Sequence, residues 1–319
     1  MPIPAKLYGL PRTYWKHERP SEPWPFASKA DKPITGAQYA PQRTKHLMRP
    51  ASDYGPVASR ALADPAHTGW TRQPILTPEI AMTERTYTIS DGVFAKFPDY
   101  VRGVVVAYDL RNGSSTPELV EQLRAAEADL RSRMSSETIP EHPRIASWRA
   151  AFKALGIKPN EFRCSVEAMA RRALRGQELP AINALVDIGN ILSLRHVVPV
   201  GSHAIDVVRG NLSLRLAKGT EVFTPFGSDQ EEHPLPGEII FAEDDTVLVR
   251  RWSWRQANHT LTLPETTAIE FNVDGLAPVM RADVETICRE VVDMIQHHCG
   301  GTMRCGVLSR ESPTLSLER

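Results

Sequence analysis

The chain has 319 residues, of which 41% are hydrophobic and 24% are charged, and its formal net charge is zero. This composition excludes a collagen-like, coiled-coil or wholly disordered protein. No run approaches the roughly 18 consecutive apolar residues that span a bilayer, and no segment resembles a secretory leader, so we expect a cytoplasmic protein without a membrane partner. With no net charge, any nucleic acid has to be bound by a local basic patch.

Residues 1–81 differ sharply in composition from the rest. They hold 13 of the 26 prolines, three of the six tryptophans, and eleven Lys/Arg against six Asp/Glu. Prolines this frequent leave no period of 2 or 3.6 residues and predict a mostly disordered segment. Met82 stands where an ordered domain would begin, so a mis-assigned translation start is one interpretation. An RNA-binding arm that stacks bases on Trp15, Trp24 and Trp70 is the other.

From residue 82 to residue 300 the patterns indicate one ordered domain that begins with a strand and four helices. Val101–Leu110 is apolar and β-branched enough for a buried strand. Thr116 and Pro117 supply an N-cap and a first helical residue, and Gly156 is a natural helix stop. The predicted helices cover 117–134, 143–155, 160–175 and 181–195, the last with Asn183, Asp187 and Asn190 on one polar face.

After His196 the sequence changes to short strands separated by Gly, Asp and Pro turns. Strands are predicted at 212–217, 221–225, 239–242, 247–254 and 267–273, and Glu243-Asp244-Asp245 reads as a hairpin loop. Val284 to Ile295 predicts a closing amphipathic helix. We expect the tail, residues 301–319, to be frayed. The fold class is therefore α/β (α+β), with helices packed on mixed β-sheets.

Several enzyme classes lose support because their motifs are absent. The sequence contains no GxGxxG, GxxxxGK[ST], HExxH or GxSxG, and we expect no cofactor. His297-His298-Cys299 suggests a metal site at first sight. Neighbouring helical residues point about 100° apart, however, and no complementary Cys/His pair follows at zinc spacing. We therefore expect no metal.

The segment Ala181–Asp206, AINALVDIGNILSLRHVVPVGSHAID, carries a family resemblance. It resembles the tRNA-binding, editing B3/B4 module of the phenylalanyl-tRNA synthetase beta subunit. That module has an I-N-x-x-V-D-x-x-N helix followed by a proline and H-A-x-D. Upstream ALGIKP, downstream LRLAKGTEVFTPFG and the Glu265-Thr266 pair extend the resemblance from about Tyr87 to Leu276.

The resemblance implies a three-layer α/β domain that hydrolyses wrongly charged aminoacyl-tRNA. It transfers the editing-pocket asparagine to Asn190 and the histidine to His203, with Gly201 as the alternative for the histidine's place. Asn183 and Thr266 join the predicted substrate-binding residues. Gly189 replaces the family's threonine, and Asn258 or Gln256 replaces the acid that reads a tyrosine hydroxyl. Without that carboxylate, the amino acid removed is expected to differ.

A run of arginines and tryptophans follows the predicted hairpin. As a strand, Val249–His259 would place Arg251, Ser253 and Arg255 on one face and Arg250, Trp252 and Trp254 on the other. The arginines would then bind phosphate or carboxylate, and the tryptophans would stack on the terminal adenine. The structural alternative makes Trp252 and Trp254 core residues, with the arginines solvated or paired with the Glu243-Asp244-Asp245 loop.

The sequence thus predicts a freestanding editing domain that binds the aminoacylated 3′ end of tRNA and deacylates it in trans. An aminoacyl ester is already activated, so a positioned water and oxyanion donors suffice for its hydrolysis. His203 or His259 would orient the water, because imidazole titrates near neutrality. A non-catalytic module that binds tRNA or an aminoacyl-tRNA synthetase is one alternative, and a hydrolase of another small ester or amide is the second.

Overall fold

The computed structural model describes residues 84–319, and in this range the chain forms a mixed α/β domain with six α-helices and two β-sheets. The predicted fold class is confirmed. The predictions for residues 1–81 and for Met82 lie outside the described residues. Between residues 84 and 319, no helix combines the length and the apolar character needed to cross a membrane.

After β1, α1 and β2, four α-helices follow in succession, and strands dominate the second half of the domain. The helices are α1 Asp91–Lys96, α2 Pro117–Arg133, α3 Pro143–Ala154, α4 Ser165–Leu174, α5 Ala184–His196 and α6 Arg281–His298. The strands are β1 Thr86–Ile89, β2 Val101–Tyr108, β3 Val200–Ala204, β4 Leu212–Leu216, β5 Ile239–Glu243, β6 Thr246–Arg250, β7 Arg255–Gln256, β8 Ile269–Gly275, β9 Thr302–Leu308 and β10 Thr314–Ser316.

The two sheets differ in size and in strand direction. The smaller sheet has the order β3-β8-β2-β9, and all its neighbours are antiparallel. The larger sheet has the order β10-β1-β4-β5-β6-β7, and it is mixed because β1 and β4 run parallel. β3 is an edge strand of the smaller sheet, which leaves its outer side free to border a cavity.

Successive residues of β2 face opposite sides of the smaller sheet, and this shows how the layers of the domain are stacked. The Arg102 side chain donates to the Tyr87 hydroxyl on β1 and so points at the larger sheet. The Cα of Gly103 faces the opposite way, toward α6, where an added Cβ would clash with the Cys288 sulfur. A helical layer, the smaller sheet and the larger sheet are therefore stacked, as the resemblance implied.

Two helix starts follow from local sequence. Thr116 caps α2 by accepting a hydrogen bond from the Leu119 N–H, with Pro117 as the first helical residue. Asn183 caps α5 by accepting from the Val186 N–H at 3.1 Å. An N-cap residue satisfies one of the free N–H groups that every helix start exposes. The predicted α2 start is confirmed, whereas α5 begins three residues later than predicted and Asn183 is its cap.

The predicted start of α4 was wrong, and so was the prediction that the C-terminal tail is frayed. α4 begins at Ser165 instead of residue 160, because the Ser165 N–H is held by the Ser253 carbonyl at 2.8 Å. Residues 301–319 are not frayed. β9 completes the smaller sheet beside β2, and β10 pairs with β1 at the edge of the larger one. Strand pairing over this distance leaves no local signal.

The predicted strand 247–254 was also wrong in its second half. β6 ends at Arg250, and the chain turns through Arg251 and Trp252, whose φ angles are +48° and +65°. Positive φ is uncommon for residues with a side chain and needs support from surrounding packing. Here the Trp252 ring is buried among Phe97, Tyr100 and Trp148, with ring centroids 4.7–4.9 Å away. The predicted two-residue alternation therefore stops at Arg250.

Candidate functional site

A cavity of about 180 Å³ lies at the β3 edge of the smaller sheet. α4 and α5 border it on one side, and the turn Arg251–Arg255 borders it on another. Most of its wall is apolar, which is typical of a pocket for a small ligand or a ligand end. The polar and charged lining residues are Arg102, Ser165, Asn190, Ser202, His203, Ser253, Arg255, Gln256, Thr262, Asn272 and Asp274.

A buried ion pair forms one part of the wall. The Arg102 Nε lies 2.6 Å from Asp274 Oδ1, and both side chains are 2% exposed. Tyr100 donates its hydroxyl to the same carboxylate, and Arg102 donates to the Tyr87 hydroxyl. Burial raises the pKa of both tyrosines well above the ordinary value. Every charge in this group thus has a partner, which is the condition for burying ions at tolerable cost.

His203 reaches the cavity from β3. Its Nδ1 lies 2.7 Å from the Thr260 hydroxyl, and its ring packs edge-on against Phe241. Burial first, and then the positive charge of Arg102, lower the pKa of His203 to about 3. The imidazole is therefore neutral near pH 7, and Nε2 is the ring nitrogen left for a ligand or a water molecule.

A second carboxylate lies behind His203 on β8. Glu270 is directly opposite His203 in the strand register, and it is fully buried. Burial raises the pKa of Glu270 to about 8, although the Arg102 charge opposes this shift. Asn272 donates to its Oε1 at 3.1 Å, while Oε2 has no partner. Near pH 7 this carboxyl group is mostly protonated and uncharged.

Four of the predicted residues meet in the cavity besides the tryptophans and Arg255. Asn190 lines it from α5, Gly201 and His203 line it from β3, and Gln256 lines it from β7. Gln256 donates to the Ser202 carbonyl at 3.3 Å, which ties β7 to β3. Both candidates for the histidine's place, His203 and Gly201, therefore border the same space. Gly189 lines it too.

Four other predicted residues lie away from the cavity wall. Asn183 is the α5 cap and also donates to the Thr262 carbonyl at 2.9 Å. Thr266 accepts from the Leu263 N–H in a turn. Asn258 holds a loop by donating to the Ser228 carbonyl, and His259 lies 2.6 Å from Glu243. These contacts give each side chain a structural role, and Gln256 rather than Asn258 borders the cavity.

The arginines of the predicted RNA-binding run have partners other than the ones expected. Arg250 is buried and bonded to Glu238 at 2.9 Å and Glu232 at 2.9 Å, not to the Glu243-Asp244-Asp245 loop. Arg255 shares Glu232 at 3.3 Å. The Arg251 guanidinium lies 3.7 Å from the Phe162 ring centroid and 4.4 Å from that of Trp254. Burial lowers the pKa of Arg251 to about 10, so it stays charged near pH 7.

The tryptophans separate into one core residue and one rim residue. Trp252 is 1% exposed and belongs to the aromatic core, as the structural alternative held. Trp254 is half-buried, packs against Phe162 at 5.0 Å and lines the cavity. Both rings border the cavity, but only Trp254 lies outside the aromatic core.

Sequence reasoning missed two features. Arg102 and Asp274 come from strands separated by 172 positions, and only the β2–β8 pairing brings them together. The structure also joins Glu118 of α2 to His297 and His298, with their ligand atoms within 4.8 Å of one another. A metal ion accepts such His and carboxylate ligands. Glu118 lies too far away in the sequence for zinc-type spacing to reveal it.

Comparison with known proteins identifies this part of the chain. Residues 147–300 match the family model described as the B3/4 domain. The match covers just under half of the chain, and we call this stretch the B3/4 segment after the family that it matches. Among solved structures, the chain is similar to an N-terminal fragment of the phenylalanyl-tRNA synthetase beta-subunit from Pyrococcus horikoshii, with 10% sequence identity and a TM-score of 0.39. The match covers 68% of this chain and 50% of that one, so this chain spans about half the length of that fragment. No curated protein sequence matches it.

The B3/4 segment supplies nearly the whole cavity. Every lining residue lies within 147–300 except Arg102, which β2 contributes from outside the matched range. The cavity thus lies almost wholly within the stretch that matches the family model, and Arg102 of β2 completes its wall.

Proposed function

We propose that this protein binds aminoacyl-tRNA and hydrolyses the ester of a mischarged amino acid in trans. One observation carries the proposal: Asn190 and His203, the two residues that the resemblance assigns to an editing pocket, border a single cavity in the B3/4 segment. The resemblance and the family match support an RNA end as the ligand.

The proposed reaction is attack of water on the ester carbonyl. The bond between the carbonyl carbon and the ribose 3′ oxygen breaks. One proton of the water passes to the 3′ oxygen, and the amino acid leaves as a carboxylate while the second proton is released to solvent. Asn190 donates its side-chain amide to the developing oxyanion, and the neutral His203 orients the water through Nε2. Donors placed at an oxyanion typically contribute about 100- to 1000-fold in rate. A strong base is not needed, because the ester is already activated.

An arginine cluster on α3, α4 and the residues that flank α4 supports RNA as the partner. Residues 144–176 contain eight Lys/Arg and two Asp/Glu in a chain with no net charge. Arg149 and Arg171 share one oxygen of the buried Glu167, at 2.8 and 2.9 Å. Burial first, and then the charges of Arg171, Arg175 and Arg149, lower the pKa of Arg163.

This cluster adjoins the cavity. α4 places Ser165 and Met169 in the cavity wall and carries Arg171 on another face. Arginines bind phosphate through planar, bidentate contacts. We propose that the cluster of Arg149, Arg163, Arg171 and Arg175 binds the acceptor-stem backbone while the aminoacylated end enters the cavity. Arg250 is committed to Glu238 and Glu232, so Arg251 and Arg255 remain the proposed RNA contacts within Val249–His259.

The first experiment measures release of labelled amino acids from a panel of correctly and wrongly charged tRNAs by the full chain. We expect release from one mischarged species, reduced at least about 100-fold by Asn190→Ala. Asn258→Ala is the matched control, because its amide lies outside the cavity wall, and it should retain release. Equal loss in both variants would remove Asn190 from the mechanism.

A second experiment tests the RNA surface by tRNA binding across a salt titration. Arg163→Gln with Arg175→Gln should reduce the slope of log K against log salt by about one for each phosphate that the variant no longer binds. Arg281→Gln with Arg289→Gln, on the exposed side of α6, removes the same charge and should leave the slope unchanged. Identical slopes for the two double variants would exclude the arginine cluster from RNA binding.

A non-catalytic binding module is the second candidate function. The observation that favours it concerns His203, the only histidine among the described residues that line the cavity. Burial lowers its pKa to about 3, so its imidazole is a weak base near pH 7. tRNA binding without release of any amino acid would favour this function. Release from small esters without tRNA binding would favour a small-ester hydrolase.

A further inference from the structure

All five residues of the turn Arg251–Arg255 have a buried polar side-chain atom without a partner. Arg251 does not line the cavity and the Trp252 ring belongs to the aromatic core, which leaves the polar atoms of the last three residues beside the cavity. They are the Ser253 hydroxyl oxygen, the Trp254 indole nitrogen and the Arg255 Nε, all buried from solvent. All three residues line the cavity, and Ser253 is only 8% exposed. We call Ser253, Trp254 and Arg255 the donor turn.

Buried polar atoms are hydrogen-bonded in most proteins, and an unsatisfied one costs about 1–3 kcal/mol. Ser202 shows the ordinary case in the same cavity, because its hydroxyl lies 3.1 Å from the Thr262 hydroxyl. The backbone around the donor turn is hydrogen-bonded: the Ser253 carbonyl accepts from the Ser165 N–H, and the Trp254 N–H donates to the Arg250 carbonyl. The turn is thus held in place while its side-chain donors stay free.

The chemistry of these atoms defines their ligand. An indole N–H and a guanidinium N–H only donate, and a serine hydroxyl donates as readily as it accepts. The Arg251 guanidinium stacks on the Trp254 ring and adds a second positive charge. Glu232 offsets part of the Arg255 charge through Nη1, but its contact leaves Nε unused. Among the described residues of the wall, the only carboxylate is Asp274, which is occupied by Arg102 and Tyr100.

We infer that the donor turn is a subsite for an anionic oxygen group of the ligand, either a carboxylate or a phosphate. The inference deepens the proposed function, on which it rests for the assumption that an aminoacyl nucleotide enters the cavity. A side-chain carboxylate would make the substrate an acidic amino acid ester. A phosphate would fix the terminal nucleotide instead. Both groups offer the acceptors that three converging donors require.

The test measures the affinity of the full chain for four stable 3′-amino-3′-deoxyadenosine amides by calorimetry. The amides carry a glutamyl or a glutaminyl side chain, each with and without a 5′-phosphate. For a carboxylate subsite, we expect the glutamyl probes to bind at least about tenfold more tightly than the glutaminyl probes. For a phosphate subsite, we expect the same difference between probes with and without the 5′-phosphate, since hydrogen bonds to charged groups are stronger than those to neutral groups. The glutamyl–glutaminyl difference reports a carboxylate subsite, and the phosphate difference reports a phosphate subsite.

The double variant Ser253→Ala, Trp254→Phe removes two donors and keeps an aromatic ring. It should abolish the preference for the anion and leave the neutral glutaminyl probe unchanged. Ser202→Ala is the control, because its hydroxyl already has a partner in the same wall. Thermal unfolding of each variant checks folding, and the two single substitutions replace the double one where it unfolds.

Four results overturn the subsite: equal binding of all four probes, no binding of any probe, a preference that survives the double variant, or an equal loss for every probe. The amino-acid release assay distinguishes failure of the subsite from failure of the proposed function. A preference that the double variant loses, in a protein that releases no amino acid, keeps the subsite and rejects the hydrolase. Release of an amino acid by a protein that shows no preference for the anionic probes keeps the hydrolase and rejects the subsite.

Discussion

The cavity has two polar regions, which differ in whether their buried groups have hydrogen-bond partners in the protein. Around Arg102 and Asp274, each charged group has a protein partner, including the hydroxyls of Tyr87 and Tyr100. In the donor turn, Ser253, Trp254 and Arg255 keep donors without partners. Satisfied groups stabilise the folded protein, whereas unsatisfied ones reduce its stability until a ligand binds. The first region therefore belongs to the fold and the second to the ligand.

The largest expected effect comes from breaking the satisfied region. Asp274→Ala leaves the Arg102 guanidinium buried and unpaired, and the free energy of unfolding should fall by about 3–5 kcal/mol. Urea denaturation measures this change. Glu285→Ala is the control, because its ion pair with Arg281 is exposed and should contribute less than about 1 kcal/mol. A loss as small as that of the control would mean that water reaches the Arg102–Asp274 pair.

Local sequence signals located the parts of the fold that depend on nearby residues. The Thr116-Pro117 start of α2 and the Glu243-Asp244-Asp245 hairpin were predictable because capping and turns use adjacent residues. The turn at Arg251 and Trp252 was not, since the positive φ angles are supported by aromatic packing from α3 and from residues 97–100. In the sequence, the alternation of residue types typical of a strand continues through Arg251 and Trp252, so it gave no sign of the turn.

The candidate site, like the fold, was predictable only where its residues lie close together in the sequence. Asn190 and His203 came from one continuous motif region, Ala181–Asp206, and Gln256 came from the run Val249–His259. The structure brings all three to one cavity. Arg102 and Asp274 were missed because strand pairing across 172 positions unites them. The donor turn could be seen as a polar and aromatic run, but which of its atoms lack partners depends on the whole surrounding packing.

Glu270 is a buried carboxyl group near the Arg102–Asp274 pair, and one of its oxygens has no partner. Its pKa is raised to about 8, above that of the unfolded chain, so the unfolded state releases its proton first as pH rises. Stability from this group is present at low pH and is lost between about pH 4 and pH 8, at up to about 1.4 kcal/mol per pH unit.

Glu270→Gln keeps the shape and removes the titration. The variant should gain stability relative to the native protein as pH rises from 5 to 8, with no further gain above pH 8. Urea denaturation at several pH values measures the difference. Parallel stability curves would mean that Glu270 titrates as in the unfolded chain, and that water reaches its carboxyl group in the folded protein.

The smallest expected effect separates the two regions most directly. Ser193 and Ser253 are both buried serines, but the Ser193 hydroxyl donates to the Val200 carbonyl and accepts from the Val200 N–H at 3.3 and 3.1 Å. Ser193→Ala leaves the Val200 N–H without its partner and should cost about 1–3 kcal/mol. Ser253→Ala removes a group that has no partner, so stability should stay within about 0.5 kcal/mol of the native value or rise. Urea denaturation of the two variants side by side gives the comparison. Equal losses would mean that Ser253 already has a partner in the free protein, and its hydroxyl would then be part of the fold instead of a donor kept for a ligand.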